Sequence, residues 1–168
     1  MDALRCIALV VAFGIGGCLG STPDERRAAE IGTDPPEGPE HNPGNDCSLC
    51  HDFAVAGTVY LRATDAAGLG GARVEITDAQ GRRFEAITNP AGNFYVEVES
   101  GEGGFSVRDE GQTELGFDPA FPLRVRVTHG ALEQQMVTSI HRESACNACH
   151  AATPGAESVG RVYLEAAP

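Results

Sequence analysis

Alternation of apolar and polar residues with a period of two dominates the chain from about residue 55 onward. The clearest example is Ala72-Arg73-Val74-Glu75-Ile76, whose pattern is typical of a strand with one buried face. Clusters of Gly, Pro, Asn and Asp separate such runs and predict turns. The pattern predicts seven strands, over residues 57–61, 72–77, 83–88, 94–98, 123–127, 132–139 and 158–164, and a glycine-rich loop over residues 99–120. Seven short strands at this spacing are typical of an antiparallel, immunoglobulin-like β-sandwich.

The N-terminal segment has a different pattern. Arg5 precedes a short apolar run over residues 7–15, which is too short to span a bilayer and is typical of a signal peptide. Ile15-Gly16-Gly17-Cys18 resembles a bacterial lipobox, which implies a lipoprotein signal peptide over residues 1–17 and a lipid on Cys18. Ordinary signal-peptidase cleavage near Gly20 is the alternative. Both predict export, and the lipobox implies an outer-membrane lipoprotein on the periplasmic side or the cell surface.

Composition then separates a tether from a folded domain. Residues 18–46 are rich in Pro, Gly and acidic residues, which predicts a flexible tether. Residues 47–168 are predicted to form one β-sandwich domain bracketed by two cysteine motifs. The net charge of -12 over 168 residues excludes nucleic acid as a partner, because phosphates require basic patches. It favours a partner with a basic docking face.

Two pentapeptides share one spacing, Cys-Ser-Leu-Cys-His at residues 47–51 and Cys-Asn-Ala-Cys-His at residues 146–150. Each resembles the haem-attachment motif of c-type cytochromes. Two thiols three residues apart can each add to a vinyl group of one haem, and the following imidazole can bind the iron. The resemblance implies two haem c groups, with His51 and His150 as proximal iron ligands. The thioether links would be made by Cys47, Cys50, Cys146 and Cys149.

Two other interpretations of these four cysteines stay open. An exported chain permits disulfides, and two Cys-x-x-Cys pairs can form a four-thiolate, zinc-stabilised structural domain. Neither interpretation explains why a histidine follows each pair at the same offset, so haem is favoured.

The second axial ligands of the irons are predicted among the remaining histidines and Met136. His41 lies six residues before Cys47 and His141 five before Cys146, and these two are favoured as distal ligands. Each could also reach the haem of the other motif if the two haems are adjacent. His129 falls in a predicted hairpin turn and Met136 in a predicted strand. An alternative role for His141 is to cap a short helix over residues 142–149.

An internal repeat follows the two motifs. Gly-x-Val-Tyr-Leu occurs at residues 57–61 and again at residues 160–164. The first and last strands of such sandwiches are commonly parallel neighbours about 4.8 Å apart. We therefore predict that both haem-binding segments lie at one end of the domain.

The region between the motifs carries a second resemblance. Gly57-Thr58-Val59 and the segments at residues 71–76 and 88–94 resemble the carboxypeptidase-regulatory-like domains, which have a prealbumin-like fold. The resemblance covers residues 55–140 and the last strand. It implies a fold but no activity.

These patterns predict electron transfer by a membrane-anchored, exported dihaem c-type cytochrome that exchanges electrons with redox partner proteins and is not an enzyme. One alternative is a carbohydrate- or partner-binding module with a cell-surface glycan as ligand, although Trp is absent and Tyr occurs three times. A dihaem peroxidase is a further alternative, and it requires an open iron site.

Overall fold

The computed structural model describes residues 36–98, 110–151 and 158–165, together with Ala29 and Gly32. This part of the chain is mostly β, with two four-stranded sheets. The predicted signal peptide, Cys18 and much of the predicted tether lie outside the described residues. The strands are β1 (Val55–Arg62), β2 (Arg73–Thr77), β3 (Arg83–Ile87), β4 (Asn93–Val98), β5 (Gln112–Leu115), β6 (Arg124–His129), β7 (Leu132–Gln135) and β8 (Val162–Glu165).

The two sheets differ in strand direction. The second sheet has the order β3-β2-β6-β7 and all its pairs are antiparallel. The first sheet has the order β5-β4-β1-β8, and in it β1 pairs parallel with β8 and β4 pairs parallel with β5. The parallel pairing of the first and last strands, β1 and β8, is as predicted, whereas the parallel pair of β4 and β5 departs from the predicted antiparallel sandwich. Parallel pairs need a long connection, and the chain between β1 and β8 runs through all the other strands.

The prediction of seven strands is also wrong, because the described residues contain eight. The additional strand, β5, lies within the predicted loop at residues 99–120. Its sequence, Gln-Thr-Glu-Leu, has no apolar alternation, and only Leu115 is buried. Two predicted strands are shorter than expected, since β7 ends at Gln135 and β8 begins only at Val162.

A single apolar core joins the two sheets. Val55 and Val59 of β1 are fully buried and cluster with Val74 and Ile76 of β2 in the opposite sheet. Burying both inner faces against each other is what makes two amphipathic sheets stable as a sandwich. In β1 every residue from Val55 to Tyr60 is buried, so the outer face of this strand is covered as well.

The repeated segments lie side by side, as the sequence predicted. β1 and β8 pair in parallel, with Val59 opposite Val162 and Tyr60 opposite Tyr163. These are the equivalent residues of the two Gly-x-Val-Tyr-Leu repeats. Equivalent residues of the internal repeat are therefore paired with each other in the sheet.

A buried carboxylate holds the turn between β2 and β3. Asp78 is 5 % exposed and accepts hydrogen bonds from the backbone N–H groups of Gln80, Arg82 and Ala120, and from Arg82 Nε at 2.7 Å. Burial raises the pKa of Asp78, but the hydrogen bonds from Arg82 and the backbone outweigh it, so the pKa is lowered overall.

Candidate functional site

The two pentapeptides fold in the same way. Each forms one turn of 3₁₀-helix, motif helix 1 at Cys47–Leu49 and motif helix 2 at Cys146–Ala148. In both motifs the backbone N–H of the histidine donates a hydrogen bond to the backbone carbonyl of the first cysteine, at 3.0 Å in the first motif and 2.8 Å in the second. Each motif therefore holds its two thiols and its imidazole on a single backbone turn.

The two motif helices begin differently. Asp46 caps motif helix 1 by accepting a hydrogen bond from the backbone N–H of Ser48 at 3.0 Å. Motif helix 2 begins after Ala145, with no side-chain cap. The helix expected over residues 142–149 is therefore reduced to this one turn, and His141 does not cap it.

The segment before the first motif is attached to the sandwich by hydrogen bonds. Asn89 and Asn93 donate through their amides to the carbonyls of Pro39 and His41, at 2.6 and 2.9 Å. The N–H of Gly44 donates to Thr58 Oγ1 of β1 at 2.9 Å. These bonds bring His41 to the first motif.

The first cavity lies over β4 on the outer side of the first sheet and has a volume of about 330 Å³. It is lined by His41, Cys47, Cys50 and His51, and by side chains of β4 that include Glu97. The ring centroids of His41 and His51 are 5.6 Å apart and the rings are tilted by 49°. The two imidazoles are therefore neighbours in one cavity, where both could contact the same bound group.

Aromatic rings support the first imidazole. His51 stacks on Phe53 with 4.7 Å between ring centroids, and Phe53 stacks on Tyr95 of β4 at 5.0 Å. Burial and the nearby His41 lower the pKa of His51, against an opposing effect of Glu97. The lowered pKa of His51 favours the neutral imidazole, which is the form that binds metals.

The second cavity opens between the two sheets beside β7 and β8 and has a volume of about 640 Å³. It contains the equivalent set of residues, His141, Cys146, Cys149 and His150. The rest of its lining is mostly apolar and comes from both sheets and from residues 136–140 and 159–163. Three large apolar side chains of this lining are exposed, namely Val137 (101 %), Val159 (80 %) and Tyr163 (38 %).

Backbone carbonyls orient two of the four imidazoles. Nδ1 of His150 is 2.9 Å from the carbonyl oxygen of Gly160, and Nδ1 of His41 makes the same kind of contact with Gly38. A carbonyl can only accept, so Nδ1 carries the proton and the lone pair is on Nε2. This is how metal-binding histidines are commonly held.

Phe94 of β4 lines both cavities and is buried between them. A Cβ atom placed on Gly57 of β1 would lie 2.8 Å from Cys146 Cβ and 3.1 Å from the Phe94 ring. Motif helix 2 therefore packs against β1 at a position where only glycine fits. The two motif helices also contact each other.

Cys146 is partly buried and Asn147 buried at this junction. Burial and, to a smaller extent, the nearby Cys47 raise the pKa of the Cys146 thiol to about 12. Asn147 is 2 % exposed, and neither polar atom of its amide has a hydrogen-bond partner within the described part of the chain.

Metal binding by protein side chains alone finds no support in the described residues. Cys47, Cys50, Cys146 and Cys149 form no disulfide. Within residues 36–98, 110–151 and 158–165, no group of three or more His, Cys, Asp or Glu side chains is arranged to hold a metal ion. This gives no support to the four-thiolate zinc alternative. A haem needs only one or two ligands from the protein, and each cavity offers two imidazoles.

The sequence singled out the cysteines and histidines that line the two cavities but not the residues around them. His41 and His141 each lie in the cavity of their own motif, whereas His129 lines neither cavity and Met136 lines the second. Phe94, Glu97 and Arg161 were not singled out. A hint for Phe94 was the pair Phe94-Tyr95, because adjacent residues in a strand face opposite sides of a sheet.

Comparison with protein-family models, curated proteins and solved structures finds no match to this chain. The described residues include no helix long and apolar enough to cross a membrane.

Proposed function

We propose that this protein is an exported dihaem c-type cytochrome that transfers single electrons between redox partner proteins. The observation that carries the proposal is that two cavities are lined by the same set of side chains, two cysteines and two histidines. Each Cys-x-x-Cys-His turn lines its own cavity together with one further histidine, His41 in the first and His141 in the second. The same set of two cysteines and two histidines therefore lines a cavity twice in one chain.

The cavities suit a planar, mostly apolar cofactor. Their volumes of about 330 and 640 Å³ fall within the usual range of cofactor sites, about 300–1,000 Å³. Val137, Val159 and Tyr163 form an exposed apolar patch on the second cavity. Such a patch normally has a partner, and a porphyrin held by Cys146 and Cys149 would cover it.

In this proposal the histidines act in pairs. His51 and His150 are the proximal ligands, and His41 and His141 are the distal ligands of their own motifs. The carbonyls of Gly38 and Gly160 turn the Nε2 lone pairs of His41 and His150 outward for ligation. The haem iron, when bound, supplies reversible one-electron exchange between its ferric and ferrous states. Two imidazoles per iron leave no position for a substrate, which favours electron transfer over catalysis.

The position of the two sites supports electron exchange between them. Motif helix 1 contacts motif helix 2, and the ring of Phe94 fills the space where the two cavities approach each other. A buried, close-packed side chain shared by the two cavities would keep two bound cofactors near each other.

The anchor, the partners and the finer fold family come from sequence patterns. Cys18 would carry the lipid that places the protein at the outer membrane, and residues 18–46 would be the tether. The net charge of -12 favours a redox partner with a basic face. The sandwich between the motifs would be a carboxypeptidase-regulatory-like domain that positions the haems and binds no substrate of its own.

A haem count tests the proposal. The full chain is produced in a bacterium with a c-type cytochrome maturation system, and haem per chain is measured by the pyridine haemochrome method. We expect two haems in the wild type and one each in the double variants C47A/C50A and C146A/C149A. Cys18→Ala is the matched control, since it should keep both haems and release the protein from the membrane fraction. A second c-type cytochrome in the same cells serves as the positive control for haem attachment. If that cytochrome is fully loaded and this chain carries no haem, the proposal is wrong.

A further inference from the structure

The two candidate haem sites differ in the fixed charges that line them. Among the residues lining the first cavity are two carboxylates, Asp46 and Glu97, and no Arg or Lys. The second cavity is lined by Arg161 and by one carboxylate, Glu143. Glu143 accepts a hydrogen bond from Arg142 Nε at 3.0 Å, so its charge is balanced locally. The first site therefore has a negative surrounding, and the second a neutral to positive one.

Arg161 is fixed at the second site and has donor capacity to spare. Its guanidinium lies 4.4 Å from the ring centroid of Tyr60 and donates to the carbonyls of Ala63 and Asp65. Its Nε is buried and has no partner within the described residues. A cation held in this way cannot move away when the charge of the site changes.

The polarity of the walls differs in the same direction. The second cavity is lined by seven valines, Ile140 and Met136, and also by four uncharged polar residues, Gln134, Gln135, Thr138 and Ser139. The first is lined by asparagine, glutamine and carboxylate groups as well as by aromatic rings. A ferric haem carries one more positive charge than a ferrous haem, so apolar walls disfavour the ferric state. Burial and nearby charge are both established controls of haem potential.

Resting on the dihaem function proposed above, we infer that the two sites differ in reduction potential and that the electron comes to rest at the second. Asp46 and Glu97 stabilise the ferric state at the first site, and Arg161 and the apolar walls stabilise the ferrous state at the second. One electron from a donor protein reduces the first site. That electron then passes to the second site, which becomes ferrous as the first returns to ferric, and no proton or bond is exchanged.

Spectroelectrochemical titration of the purified dihaem protein tests the inference. We expect two resolved one-electron steps. The variant C47A/C50A, which keeps only the second site, should titrate near the higher potential, and C146A/C149A near the lower. Steps closer than about 59 mV, the equivalent of a tenfold equilibrium constant for one electron, would overturn the inference. So would a lower potential at the second site.

Charge variants identify the residues responsible. Glu97→Gln should raise only the lower potential, and its amide oxygen can still accept the hydrogen bond that Gln112 Nε2 donates to Glu97 at 2.8 Å. Arg161→Gln should lower only the higher potential, while Arg161→Lys keeps the charge and should restore it. The matched controls Arg73→Gln and Glu85→Gln change a surface ion pair on the other sheet and should move neither step.

The haem count of each sample separates two kinds of failure. Protein without haem contradicts the proposed function. Protein with two haems of equal potential contradicts only the inference about direction. The same holds if the Glu97 and Arg161 variants leave both potentials unchanged.

Discussion

Single side chains already differ in how well they are prepared for ligation. His41 and His150 are oriented by backbone carbonyls, and His51 by a stack of two aromatic rings. His141 lines the second cavity, but no contact of this kind is found for it within the described residues. Ligation at the second site therefore depends more on the haem itself to fix the distal imidazole.

The distal histidines can be tested one at a time. His41→Ala and His141→Ala should each convert one haem of two from low-spin to high-spin, because one axial ligand is lost. Visible and electron paramagnetic resonance spectra measure the conversion. His129→Ala is the control, since His129 lines neither cavity. Unchanged spectra in both distal variants would show that other groups complete the coordination.

Asp78 gives a residue-scale prediction about stability. Its hydrogen bonds lower the pKa below the ordinary value of 3.8, so the unfolded chain binds a proton more readily than the folded one. The stabilisation is present at neutral pH and is lost as pH falls below about 3.8 through the lower folded pKa. Asp78→Asn should reduce the thermal unfolding midpoint at pH 7. The difference in midpoint between the variant and the wild type should be smaller at pH 3. A gap that stays constant with pH would contradict this assignment.

At the scale of elements, the contact between motif helix 2 and β1 requires glycine at position 57. Gly57→Ala would bring a methyl group to 2.8 Å from Cys146 Cβ and 3.1 Å from Phe94. Overpacking of this kind costs about 1–3 kcal/mol. We expect a lower free energy of unfolding and reduced haem attachment at the second motif, measured by denaturant titration and by haem count.

Gly116→Ala is the matched control for that prediction. No heavy atom lies within 4 Å of a Cβ placed at Gly116, so the same change should leave stability and haem content near wild type. Equal effects of the two variants would mean that the close approach at Gly57 is not what holds motif helix 2.

For the whole molecule, haem and fold should stabilise each other. Without haem, the patch formed by Val137, Val159 and Tyr163 is open to water. The haem-free protein should bind an apolar fluorescent dye and melt at a lower temperature than the haem-loaded protein, because a ligand of the native state adds to its stability. Val159→Ser should reduce the dye signal. Ile87→Ser, at an exposed residue that lines neither cavity, should not.

Local features of the fold follow from the amino-acid pattern alone. Period-two alternation and glycine turns specified β2, β3, β4 and β6 closely. Each of these strands buries one face, so every second residue along it is buried. The spacing of the two Cys-x-x-Cys-His motifs predicts their chemistry from local sequence alone, and the structure folds each motif as one turn of 3₁₀-helix.

Only the tertiary structure decided which elements are neighbours. The sequence pattern does not predict β5, because β5 is a short edge strand without apolar alternation that is held by pairing with β4. His41 and His51 meet because Asn89, in the turn before β4, and Asn93, the first residue of β4, hold the backbone of Pro39 and His41 against the sheet. The contrast between Glu97 at one site and Arg161 at the other exists only in three dimensions. Local sequence sets the conformation and chemical type of each segment, whereas long-range burial selects its partners.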